Sequence, residues 1–92
     1  MPKIAYYYGF TFFFYSYDLL ERRHVHVAAN KHGFNYSAKF WLEPHVEVFE
    51  AGELSQKEIR EITKAIENNL DRIEEQILRF KNGLKVETFE IY

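Results

Sequence analysis

The chain has 92 residues, 47% of them hydrophobic and 18% aromatic, and a formal net charge of -2. So short a chain has interior for one core only, which excludes a second domain, and the lack of cysteine excludes disulfides and thiolate-bound metal and makes a reducing, cytoplasmic location the simplest expectation. No run approaches the ~20 apolar residues of a membrane span and the N-terminus lacks the pattern of a secretory leader, so no membrane partner is expected.

The opening "KIAYYYGFTFFFYSYD" is dense in rings, which suit a pleated surface, and Tyr8-Gly9 interrupts it where a tight hairpin needs positive φ. Strands are expected over residues 3 to 7 and 10 to 17. "HVHVAA" follows after "DLLERR", with Val25 and Val27 alternating against His24 and His26 at the strand period of two. After the turn "NKHGFN", the stretch "YSAKFWLE" alternates Ala38, Phe40 and Leu42 against Lys39 and Trp41, and Pro44 ends or kinks it. "HVEVFE" reads as a further short strand whose acids suit a sheet edge.

"LSQKE" is the sharpest local signal: Ser55 as N-cap, Glu58 completing a capping box, and Leu54 with Ile59 as a hydrophobic staple. Ile59, Ile62, Ile66, Leu70, Ile73, Ile77 and Phe80 then recur every three or four residues, giving one apolar stripe to about residue 81, where Asn82-Gly83 can close the helix. That is about 27 residues, or ~40 Å. Asn68-Asn69 can divide the stripe, but its register continues through them, which favours one helix, bent or straight. The tail "LKVETFEIY" returns to strand-like composition and can join the sheet or exchange with another subunit.

The expected fold is therefore α+β: an antiparallel meandering sheet of four to five strands, one long amphipathic C-terminal helix on one face, and an extra C-terminal strand or tail. Residues 1 to 81 would form the single domain and 82 to 92 the extension. The helix face takes Phe10, Phe12, Phe14, Val25, Val27, Ala38, Phe40 and Leu42. The other takes Phe13, Tyr15, Tyr17, His24, His26, Lys39 and Trp41.

Charge is unevenly spread, with five Lys/Arg against two Asp/Glu in residues 1 to 42 and seven against twelve in residues 43 to 92. From Arg22 to Leu42 there is no acid at all, which locally favours an anionic partner. RNA is one such partner: Tyr15, Tyr17 and Trp41 offer flat rings for bases, and Arg22 and Arg23 neutralise phosphates. The opposing reading is that a second layer, a homodimer contact or the tail covers these rings, since exposed apolar patches usually mark protein contacts.

His24 and His26 lie roughly 6 to 7 Å apart at their Cβ atoms if they share a face, close enough to converge on one ion. Two ligands do not make a site, and Asp18, Glu21, His32 and His45 fall at no diagnostic spacing, so neither metal nor other cofactor is expected. The catalytic alternative is phosphodiester cleavage, one imidazole removing a proton and the other donating one, with Lys39 or Arg23 stabilising charge on phosphorus. Ordinary strand surface is the plainest meaning of such a pair.

The ordered phrases "MPKI", "GFTFFFYSYD", "HVHV", "AKFWLEP" and "GELSQKEIREI" resemble a small bacterial family, the domain of unknown function 4160, over roughly residues 1 to 80. Members usually carry two prolines before the histidine pair, where this chain has Arg22-Arg23. The resemblance implies a short protein often encoded beside another small protein, an arrangement similar to toxin and antitoxin gene pairs. It makes His24 and His26 the first candidates for a ribonuclease-type site. The expected function is an interaction component of such a pair, binding a small partner protein encoded by a neighbouring gene or RNA, with a small metal-independent ribonuclease as the alternative.

Overall fold

Strand alternation at both ends of the chain and a capped apolar stripe between them set the layers of the computed structural model, which describes residues 2–92 apart from the side chains of Tyr17 and Asp18. Six strands form one sheet: β1 (Lys3–Tyr7), β2 (Phe10–Phe13), β3 (His24–Ala29), β4 (Ala38–Trp41), β5 (Glu47–Glu50) and β6 (Phe89–Glu90), in the order β5-β4-β3-β2-β1-β6. Two helices, α1 (Gln56–Asn68) and α2 (Leu70–Lys81), cover one face.

Tyr8 and Gly9 both take positive φ, 37° and 87°, the two-residue turn whose twist matches the flanking strands, and Tyr7 pairs directly with Phe10. The strand expected over residues 10 to 17 stops at Phe13, and Ser16–Leu20 winds into a 3-10 helix instead. From β1 to β5 the pairings are antiparallel, as expected. The expected four or five antiparallel strands are nevertheless corrected to six in a mixed sheet, because the tail returns along β1 and pairs in parallel, Ala5 with Phe89 and Tyr6 with Glu90. The Thr88 hydroxyl donates to the Lys3 carbonyl at 2.7 Å and the Ile91 amide to the Tyr6 carbonyl at 2.8 Å. From α2, the Gln76 side-chain oxygen accepts from the Glu87 amide at 2.6 Å, and the Arg72 guanidinium lies 3.9 Å from the Phe89 ring centroid.

The single long helix is corrected to two. The Asn69 side-chain amide donates to the Ala65 carbonyl at 2.8 Å, the acceptor that Asn69's own amide would use in a continuing helix, and that amide turns to Ile66 at 3.1 Å. The break has a spatial use. A straight helix from 56 to 81 would be about 39 Å long, and the longest extent of the fold is 35 Å. Ile62, Ile66 and Ile73 stay fully buried across the bend, so the apolar register survives it.

Against them stand Phe12, Phe14, Val25, Val27, Ala38, Phe40 and Leu42, with Phe10 packed at the margin, which is the expected inward set, and Ile4 of β1 joins it. Each fully buried one of these apart from the small Ala38 contributes about 1.5–3 kcal/mol of burial. Among the described residues no helix is long and apolar enough to cross a membrane.

The capping box forms as the sequence requires: the Ser55 hydroxyl accepts from the Glu58 amide at 3.1 Å, and the Glu58 carboxylate accepts from the Ser55 amide at 2.9 Å. That backbone bond holds the Glu58 carboxyl below the ordinary glutamate range. A group depressed on folding stabilises above its unfolded pKa and loses that contribution as pH falls through the folded one. Ser55→Ala is expected to cost about 1 kcal/mol in urea unfolding at neutral pH, while Glu58→Ala removes the depressed carboxylate itself, so its difference from wild type should narrow in acid below the ordinary glutamate pKa. An unchanged difference there would show that Glu58 is not coupled to the cap.

Candidate nucleic-acid or partner-binding face

Register decides which side chains meet on the uncovered face of the sheet. His24 stands opposite Trp41 and His26 opposite Lys39 across β3 and β4, while Phe13 stands opposite His26 across β2 and β3. The rings follow that grid. Phe13 stacks on His26 at 5.4 Å, His26 meets His24 edge-on at 5.0 Å, and His24 meets Trp41 at 5.7 Å. Tyr15 packs edge-on against both Phe13 and His26, at 5.6 and 5.2 Å.

Two residues that the sequence reading passed over complete the row. Phe34, from the turn after β3, stands edge-on to Phe13 at 5.0 Å and closes that end, so Phe13 is fully buried although it faces away from the helices. Phe49 lies at the other end, 5.0 Å from Trp41 and 56% exposed. Its place comes from a register shift: Lys39 pairs with Glu50 but Phe40 pairs with Val48, so Phe49 is the extra residue of a bulge in the edge strand. The alternation of "HVEVFE" was the signal available for it, since Phe49 stands two residues from Glu47.

Cations bracket the open end. The Arg22 guanidinium lies 4.5 Å and the Lys39 ammonium 4.8 Å from the Trp41 ring, and Lys39 is also 5.3 Å from Phe49. Both are tied down: Arg22 Nε donates to the Glu43 carbonyl at 2.7 Å, and Lys39 pairs with Glu21 at 3.2 Å. Arg23, one residue on, faces the other way. Its guanidinium pairs with Glu74 of α2 and its amide donates to the Glu43 carboxylate at 3.0 Å. The hydrogen bond to Glu74 and that residue's charge hold Arg23 more firmly protonated, against a smaller opposing effect of burial. Strand alternation thus separates the two arginines that the sequence set side by side.

The histidines are not equivalent. His24 is 3% exposed, with Nδ1 2.7 Å from the Arg22 carbonyl; a carbonyl only accepts, so Nδ1 carries the proton. His26 is half-buried between Phe13 and Tyr15. The candidate ring Tyr17 and the candidate ligand Asp18 have side chains outside the described residues. Among the described residues no three His, Asp or Glu gather as metal ligands, His32 is exposed beside its glycine turn, and His45 pairs only with Glu47 at 3.3 Å.

A cleft of about 550 Å³ opens on the far side of His24, between α2 and the segment from Phe14 to Arg23. Phe14, Leu19, Ile77 and Leu78 give it apolar walls. Glu21, Glu43, Asp71, Glu74 and Glu75 outnumber Arg23 and Lys81 around it. The acid-free segment of the sequence is therefore not acid-free in space, because α2 and the end of β4 bring carboxylates to it.

A family model described as a domain of unknown function, DUF4160, matches residues 9–76, from the hairpin glycine into α2. No curated protein and no solved structure shows a significant match.

Proposed function

The chain belongs to the DUF4160 family, and from the chemistry of its uncovered sheet face we propose that it is an interaction module whose Trp41 and Phe49 surface docks a partner protein. The observation that carries this reading is Phe49: a phenylalanine more than half exposed, lodged on a tryptophan that two cations bracket, at the edge of the sheet. Aromatic rings and arginine are the residues enriched in protein interfaces.

Charge favours protein over RNA. Lys39 is already engaged by Glu21, Glu50 lies opposite it, and Glu47 lies opposite Trp41, so a phosphate reaching these rings meets carboxylates at the rim. The pairing with a small neighbouring gene product that the sequence resemblance implies, in a toxin-antitoxin-like arrangement, supplies a partner of suitable size, and the absence of cysteine suits a cytoplasmic setting.

Phe49→Ser is expected to weaken association with the neighbouring gene's product by tenfold or more, about 1.4 kcal/mol or greater, with little change in melting temperature because the ring is mostly exposed. Isothermal titration on the co-purified pair measures it. Unchanged affinity removes this face as the docking surface. If Phe49→Ser instead dissolves a homodimer in sedimentation, or weakens single-stranded RNA binding, the occupant is a second copy or RNA.

The ribonuclease alternative asks more of the same residues. It needs a phosphodiester to reach buried His24 past the carboxylates of the adjoining cleft, and it needs Lys39 to leave Glu21. RNA cleavage by wild type that His26→Ala abolishes, in a variant that stays folded, would replace the interaction reading.

A further inference from the structure

The cleft beside α2 has a chemistry of its own; it adjoins the Trp41 face through His24 and Glu21, but neither Trp41 nor Phe49 lines it. We infer that this cleft docks a basic amphipathic peptide segment of a partner protein, with arginine or lysine meeting the carboxylates of α2 and a neighbouring apolar side chain seated on Leu78 and Leu19.

Its volume of about 550 Å³ falls within the usual span of ligand-binding clefts. Leu78 is 56% exposed there, at a helix position whose neighbours one turn back, Glu74 and Glu75, are both acidic. An exposed leucine beside carboxylates presents the two halves of one recognition pattern: an apolar contact and a place for a cation.

The charges in the cleft are not all spoken for. Arg23 takes Glu74 and the Glu43 carboxylate accepts the Arg23 amide, while Glu21 turns to Lys39. Asp71 and Glu75, one helical turn apart on the same face, have no ion pair among the described residues. Two like charges at that spacing are unfavourable in an isolated helix, and a cation between them relieves the repulsion. Arg23 shows how the site receives such a group, since its own guanidinium is seated on the α2 wall at Glu74. The same field repels nucleic acid and acidic peptides.

The probe is a short labelled peptide of alternating leucine, arginine and lysine, titrated into the full chain by fluorescence anisotropy. Its control is the same peptide with glutamate at every basic position. Saturable binding of the basic peptide is expected, weakening as salt rises. It should fall at least about tenfold in Asp71→Lys/Glu75→Lys and severalfold in Leu78→Ser, each checked for native circular dichroism. Phe49→Ser should leave it unchanged, which separates this site from the sheet face. Equal binding of the acidic peptide, no effect of the charge reversal, or no saturable binding overturns the proposal. Insensitivity to Leu78→Ser, with spermidine displacing the peptide completely, would show a site for cations alone and overturn it as well.

Discussion

Phe12→Ala is expected to lower the unfolding free energy by about 3–5 kcal/mol, the range for deleting a fully buried ring without collapse of the surrounding core. Phe12 has no exposed surface, stands on a strand with neighbours on both sides, and pairs with Ala5 on β1 and Val27 on β3. Neither small partner can grow into the space left. A domain of this length is stable by only roughly 5–14 kcal/mol, so one ring accounts for a large part of the margin. Urea unfolding should show the midpoint falling with the slope preserved. A loss below about 1 kcal/mol would mean that the helix layer closes onto the gap and that the sheet does not fix its position.

Phe13, the next residue, is as buried as Phe12 but on the opposite face, under Phe34 and against His26. The sheet therefore carries a large core toward the helices and a thin ring layer on the other side. The inward set was legible from period alone: "HVHV" and "AKFWL" can alternate in only two ways, and the apolar members must meet the apolar stripe of the helix. The hairpin and the Ser55 cap were legible because both are local, a turn that needs positive φ and a hydroxyl three residues from a carboxylate.

What escaped the sequence depends on neighbours distant along the chain. His24 was read as presented on the surface, since alternation gives its face and not what lies over it; Trp41 across the strand pair and His26 beside it leave 3% of it exposed. The helix break was visible as Asn68-Asn69, but the stripe is indifferent to it. Only the bond from the Asn69 side chain to Ala65 decides it. The parallel pairing of β6 requires a return across the whole length of α2, and two residues of alternation cannot specify an edge that far away. Of the candidate site residues, register brings His24, His26, Lys39, Trp41, Tyr15 and Arg22 onto one face and sends Arg23 to the cleft. Adjacent basic residues read as one patch in a sequence and as two surfaces on a strand.

The docking face depends on the turn that follows its edge strand, and Gly52→Ala tests that dependence. Gly52 has φ +55°, and a Cβ there would lie 2.8 Å from the carbonyl carbon and oxygen of Ser37 and closer still to the Tyr36 carbonyl oxygen. All three are backbone atoms, fixed by the approach that lets the Glu53 amide donate to Tyr36 at 3.2 Å. The variant must therefore bear left-handed strain and also push the 36–37 backbone away from the 51–53 turn, for an expected loss of more than about 2 kcal/mol. Gly83→Ala is the control. Gly83 follows the C-cap of α2 at φ +78°, but a Cβ there meets nothing within 4 Å, so it should lose only the conformational part, about 1 kcal/mol. Equal losses in urea unfolding would show that the close approach at Gly52 carries no energy. Because the turn joins the strand bearing Phe49 to the start of α1, Gly52→Ala should weaken partner binding together with stability. Phe49→Ser should weaken binding alone, and that contrast separates a residue that touches the partner from one that holds the touching strand in place.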